Sequence, residues 1–178
     1  MTARTVTREP ARTRPDLLAP PVASALAGLP ADEVTVAAID PSAADTAEFC
    51  ARYGVPMEQS ANCVVVTGRR GGEDRYAACM VLATTRADVN GVVRRKLDVR
   101  KASFAPMAAA VAITGMEYGG ITPLGLPEEW PIYVDEAVAA APLVVVGSGI
   151  RGSKLWLPGS VLASLPGAEV VPGLGRAA

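Results

Sequence analysis

Histidine is missing from this 178-residue chain. Its absence removes the imidazole general base, the Ser-His-Asp and Cys-His nucleophile pairs and the His-Glu-x-x-His zinc helix. Cysteine is scarce. Cys50, Cys63 and Cys79 are widely spaced, odd in number and form no C-x-x-C, so neither a disulfide framework nor a metal site is expected, and the three are read as reduced, mostly buried small hydrophobes. Aromatic residues are only 4% of a chain that is 50% hydrophobic, so Ala and Val must build a globular core. A basic excess is also lacking. Seventeen Lys and Arg face eighteen Asp and Glu, for a net charge of −1, which excludes a coat for duplex nucleic acid and makes any RNA contact local. No apolar run reaches the roughly 18 residues that span a bilayer, and the N-terminal MTARTVTREPARTRP leads into no hydrophobic stretch of a secretory signal. The resulting expectations are a cytoplasmic location, no membrane partner, no cofactor and no metal.

What is present suits one domain. Residues 1–15, polar, Arg/Thr-rich and broken by Pro10 and Pro15, read as a flexible tail, with a basic arm touching RNA as the alternative, residues 16–172 as the domain, and 173–178 as a C-terminal tail. Within the domain a short helix is expected in 16–29, a strand in EVTVAAID (33–40), and a helix in 41–54 capped by Ser42 and ended by Gly54. ANCVVVTGR (61–69) and RYAACMVLAT (75–84) form a hairpin around a glycine turn. A helix follows at 87–98, with Val89, Val92, Val93 and Leu97 on one face, then an extended RKASFA and a helix in 106–115 with Pro106 in its first turn. PIYVDEAVAA begins as a strand, LVVVGSG and KLWLP are strands, and 158–166 is a short helix. The sum is an α+β domain of six or seven strands and three or four helices, without the regular alternation of a doubly wound sheet.

Two glycine-rich segments are the places for chemistry. GMEYGGITPLG (115–125) carries four glycines and a proline between a helix and a strand, so its backbone can approach a ligand closely, although the same composition suits a plain surface turn. GSGIRGSK (147–154) follows a buried strand, and Arg151 and Lys154 can meet a phosphate. It is neither a Walker loop nor, with a strand rather than a helix after it, a dinucleotide loop. Among the carboxylates Asp88, Glu117, Glu128, Glu129 and Asp135, no acid–base pair stands out; Asp135 closes a turn after IYV.

The run ADVNGVVRRKL…RKASFAPM…TGMEYGGITPLG…PIYVDE…VVVGSGIRGSKLWL resembles the YbaK/EbsC family of aminoacyl-tRNA deacylases, the domain also inserted in bacterial prolyl-tRNA synthetases, over about residues 30–170. GGITPLG is similar to that family's G-G-(I/V)-(S/T)-P-(L/F)-G and holds its G-x-x-x-P element as Gly119 to Pro123. GSGIRG is similar to its glycine-basic-Arg-Gly loop. The resemblance implies a single domain with a mixed, partly closed β-sheet flanked by helices. It implies hydrolysis of the ester joining a wrong, small amino acid to the 3′-terminal adenosine of tRNA, with a water attacking with help from a ribose hydroxyl. The partner is then the acceptor end of aminoacyl-tRNA, with an aminoacyl-tRNA synthetase as a further candidate. The implied catalytic set is Asn62, Gly120, Thr122 and Lys154, and the substrate-binding set is Gly119, Ile121, Pro123, Gly147, Ser148, Gly149, Arg151, Gly152 and Asp135. A β-carbon on Gly120 is expected to harm function more than folding. The chain departs from the family in placing Asn62 where a lysine is common, Cys63 where a threonine is, and Lys154 where an acidic residue is. A lysine exchanged across one pocket is one meaning of this; an ordinary surface lysine on an edge strand, or a binding module with weakened hydrolysis, is another.

Overall fold

The computed structural model describes residues 2–30 and 32–178. Its frame is two sheets packed face to face. The five-stranded sheet is built on a hairpin of β3 (Ala61–Arg70) and β4 (Glu73–Leu82). Gly71 and Gly72 turn it with φ of 58° and 83°, the double positive φ that a two-residue hairpin loop requires and that glycine supplies without strain. Outside the hairpin lie β6 (Ala102–Phe104), β7 (Ile132–Asp135) and β10 (Ala168–Val171), in the order β10-β7-β4-β3-β6. β7 runs parallel to both its neighbours and the other pairs are antiparallel, so the sheet is mixed. The second sheet orders β1 (Glu9–Pro10), β2 (Thr35–Ala38), β9 (Ser153–Leu157) and β8 (Val144–Gly147) as β1-β2-β9-β8. A bridge between Ser60 and Val145 ties the two sheets at one corner, leaving the barrel open.

Alternation of side chains sets the layers. On β4, Ala78 and Met80 face the space between the sheets, where they meet Val36, Val146, Leu155 and Leu157. Ala77, Cys79 and Val81 face the opposite side and pack with Val93 and Leu97, from a π-helical turn (Val89–Val93) that runs on into α3 (Arg94–Leu97). On β9, Trp156 faces away from the main core onto Phe49 and Cys50 of α2 (Thr46–Tyr53). Lys154 shares that face, which places a lysine under a helix. The remaining helices are α1 (Pro20–Ala25), α4 (Met107–Thr114), α5 (Glu136–Ala140) and α6 (Gly159–Ala163).

The seven expected strands and the helices are present, with local corrections. Asp45, not Ser42, caps α2, accepting from the N–H groups of Ala47 and Glu48; Ser42 lies in a preceding 3-10 turn capped by Asp40. Pro106 is the N-cap of α4 rather than part of its first turn. The segment read as a flexible N-terminal tail is docked from Glu9 onward: Glu9–Pro10 pairs with Thr35 and Val36, and Ala11 is fully buried. A small side chain fills a tight place in the core while the arginines around it stay at the surface, Arg14 pairing with Glu9 and Asp16. The C-terminal segment likewise forms β11 (Gly175–Ala177), antiparallel to β5 (Thr85–Ala87).

Candidate active site

A cleft of about 320 Å³ opens where the two sheets diverge, within the volume range of small-ligand sites. Its floor is the start of β3, with Ala61, Asn62, Cys63 and Val64. One wall is the entry to α2, with Ala44, Asp45 and Thr46. The other wall combines Tyr118, Gly119 and Ile121 with Gly147, Arg151 and Lys154. The sequence-based expectation that Asn62, the 119–123 loop and the 147–154 loop share one pocket therefore matches this geometry for Asn62, Gly119, Ile121, Gly147, Arg151 and Lys154.

Lys154 is 7% exposed. β9 is an inner strand, so the alternative of a surface lysine on an edge is corrected. Its Nζ donates to the Ala44 carbonyl at 3.0 Å and sits 5.4 Å from the centre of the Phe49 ring. Burial first, and then the positive Arg151, lower its pKa from the ordinary lysine value; Cys50 and Asp45 oppose the shift. Across the cleft, Thr46 Oγ1 donates to Asn62 Oδ1 at 2.6 Å, which fixes the amide plane. Arg151 is anchored rather than free: its guanidinium donates to the carbonyls of Tyr118 at 3.0 Å and Pro41 at 3.2 Å. Gly119 makes room for it, since a β-carbon there would stand 2.6 Å from Nη1. Burial pushes the Cys63 thiol well up, so this sulfur in the cleft is no thiolate nucleophile at neutral pH.

The other expected residues stand behind the cleft or away from it. Gly120 and Gly149 lock the two loops together: Gly149 N–H donates to Gly120 O at 2.7 Å and Glu117 N–H to Gly149 O at 2.9 Å. A β-carbon on Gly120 would lie 2.7 Å from the carbonyl of Ile150, and one on Gly147 would lie 2.5 Å from Gly120 O. Gly120 therefore faces backbone, not the cleft, which corrects the expectation that its substitution would harm function more than folding. Ser148 is buried beside Ser153, whose hydroxyl donates to it at 2.7 Å, and the Gly152 carbonyl accepts from Ile39 N–H; both serve the frame. Pro123 lines a separate apolar depression with Leu126 and Leu165. Asp135 caps α5 and accepts from Gly175 N–H at 2.9 Å, so the turn-closing reading holds and the substrate-binding one does not.

Thr122, expected in the catalytic set, is fully buried outside the cleft, and its Oγ1 has no hydrogen-bond partner among the described residues. Burying an unpaired hydroxyl costs about 1–3 kcal/mol. Thr122→Val is therefore expected to raise the unfolding free energy by roughly 1 kcal/mol and to leave cleft chemistry intact; chemical denaturation of the variant checks it. Ala44, Asp45, Thr46, Ala61, Cys63, Val64 and Tyr118 belong to the cleft but were not expected there. α2 brings the first three in through packing across the sheet, and only the capping pattern D-T-A-E marks that helix start in sequence.

The comparisons with known proteins agree with this geometry. A family model described as an aminoacyl-tRNA editing domain matches residues 40–165. A scaffold protein from computational epitope grafting superposes with a TM-score of 0.73 at 25% identity, covering 89% of this chain and 97% of the other. A candidate trans-editing enzyme for prolyl tRNA synthetase gives 0.74 at 23% identity, covering 89% and 96%. A hypothetical protein gives 0.65 at 22%, covering 75% and 85%. With that family model spanning the cleft and both glycine loops, the chain belongs to the aminoacyl-tRNA editing domain family, the YbaK family of its sequence resemblance.

Proposed function

We propose that this chain hydrolyses the ester of tRNA mischarged with a small amino acid, at the cleft between β3, α2 and the two glycine loops, after a separate synthetase has charged the tRNA. The observation that carries the reading is the buried Lys154 ammonium opposite Asn62. Ester hydrolysis develops negative charge on the carbonyl oxygen, and a cation preoriented in a desolvated wall stabilises it. The family lysine replaced by Asn62 is thus compensated from β9. The lining supplies no evident base, since the Cys63 thiol is pushed up and Asp45 is engaged in capping α2. The water's proton is therefore passed through the substrate's own ribose hydroxyl next to the ester, which accepts it while giving its own proton to the leaving ribose oxygen. The amino acid departs as the free acid and the terminal adenosine regains both hydroxyls. Ala44, Ala61, Val64 and Ile121 give the cleft an apolar lining of small and medium side chains, which suits a small aminoacyl group.

A panel of tRNAs charged with glycine, alanine, serine, phenylalanine or tryptophan tests the proposal. Release of one or more of the three small amino acids, with both aromatic esters spared, is expected. Protection of every ester from spontaneous hydrolysis, with no release, would make the chain a binding module instead.

A further inference from the structure

The largest exposed apolar side chains include two aromatics, Phe104 at 66% and Tyr118 at 59%, in a chain with few aromatics to spare. Both stand beside the cleft. Tyr118 lines it. Phe104 lies on β6, at the edge of the five-stranded sheet, directly opposite Val66. Opposed residues share a face, and so do alternate residues of one strand. Phe104 is therefore on the same face as Asn62 and Val64 of the cleft floor, one diagonal step of about 7–8 Å from Val64. Its ring stacks on no other ring among the described residues. Around that edge, on the opposite face of the sheet, to which Ser103 points, Arg100 and Lys101 line a shallow depression with Arg69, Asp74 and Ser103. Among the described residues, neither Arg100 nor Lys101 has an acidic partner.

An exposed ring one step outside a ligand cleft, with unpaired cations just around the strand edge, supplies the two elements by which proteins hold single-stranded nucleic acid: stacking on the ring, phosphates on the cations. Resting on the function proposed above, we infer that the β6 edge is the track for the single-stranded 3′ end of tRNA. Tyr118 stacks the terminal adenine at the cleft, Phe104 stacks the base before it, and the strand then crosses the β6 edge, where Arg100 and Lys101 take the phosphates beyond. This track places the RNA contact where a net charge of −1 still permits one: in a local patch.

The test uses alanyl-tRNA and the minimal ester 3′-O-alanyl-adenosine, which carries no base for Phe104. Phe104→Ala is expected to lower kcat/KM on alanyl-tRNA about tenfold or more relative to its effect on alanyl-adenosine, in line with the loss of one stacked base, and Phe104→Trp to restore it. Arg100→Glu with Lys101→Glu is expected to weaken tRNA binding and flatten its salt dependence. Binding of uncharged tRNA, measured by fluorescence anisotropy with intact ends and with the last two nucleotides removed, reads the track even without turnover: Phe104→Ala weakens only the intact form. Equal losses on both substrates, or unchanged binding to intact tRNA, would overturn the track. So would sedimentation showing that Phe104→Ala converts a dimer to a monomer, since the edge would then be a self-interface. A wild type that binds tRNA by its 3′ end without releasing amino acid would sink the hydrolase reading and leave the track standing.

Discussion

Lys154→Met is expected to abolish most hydrolysis while making the protein more stable. Lys154 is 7% exposed, its ammonium is held by one carbonyl and a ring face, and among the described residues it has no carboxylate at salt-bridge distance. Losing a preoriented charge of this kind costs on the order of 100- to 1000-fold in kcat. Methionine fills the same space under α2 without a buried charge, and such replacements are neutral or stabilising by about 1–3 kcal/mol. The pH dependence gives an independent check. Because the folded-state pKa is lowered from 10.5, the folded protein binds fewer protons than the unfolded chain between that lowered value and 10.5. Its stability therefore rises with pH across this window. The charge penalty is fully present below the window, so the advantage of the variant over the wild type should be largest near neutrality and shrink as pH climbs toward 10.5. Urea denaturation of both proteins at a series of pH values measures this. Adding Asn62→Lys to the variant should return part of the lost activity, because residue 62 faces the same cleft from the floor. An inactive variant with unchanged stability and no rescue would show Lys154 to be doing something other than presenting a charge.

Gly120→Ala is expected to damage the frame before it damages chemistry. Its β-carbon would meet the backbone of Ile150 at 2.7 Å, and a backbone neighbour cannot swing aside as a side-chain tip can. The two glycine loops would have to part, losing the 2.7 Å hydrogen bond from Gly149 N–H to Gly120 O. A loss of about 2–3 kcal/mol follows for an overpacked interior position, or roughly 5–10 °C in Tm for a domain of this size. Activity should fall with it, because Gly119, Gly147 and Arg151 all stand on these loops. Thermal unfolding alongside hydrolysis separates the cases; an unshifted Tm with lost activity would return Gly120 to the role of a substrate contact.

Much of this was legible in the sequence where the signal is local. The alternation in ANCVVVTGR and RYAACMVLAT, with two glycines between, gives the hairpin that carries Asn62. The apolar LVVV ahead of a glycine loop gives the strand end that carries Gly147. What could not be read depends on contacts distant along the chain. Thr46 reaches Asn62 only because α2 packs across β9, and nothing in D-T-A-E says what the helix start will face. Lys154 could be read as an edge-strand surface lysine or as a pocket lysine; its burial follows from β9 lying between β2 and β8 and from α2 covering its face. Gly120 looked like a ligand contact because glycine next to glycine serves close approach, and the sequence does not say whether the approaching partner is substrate or Ile150. The docked Glu9–Ala11 segment and β11 were read as tails because strands of two or three residues carry no period to detect.

The central claim, that this cleft turns over the ester of a mischarged tRNA, is tested most directly by following alanine release from alanyl-tRNA with the enzyme far below the substrate concentration. The account predicts many turnovers per wild-type molecule and nearly none for Lys154→Met at equal folded concentration. Release that never exceeds one alanine per protein molecule, or equal rates for the two proteins, would contradict it.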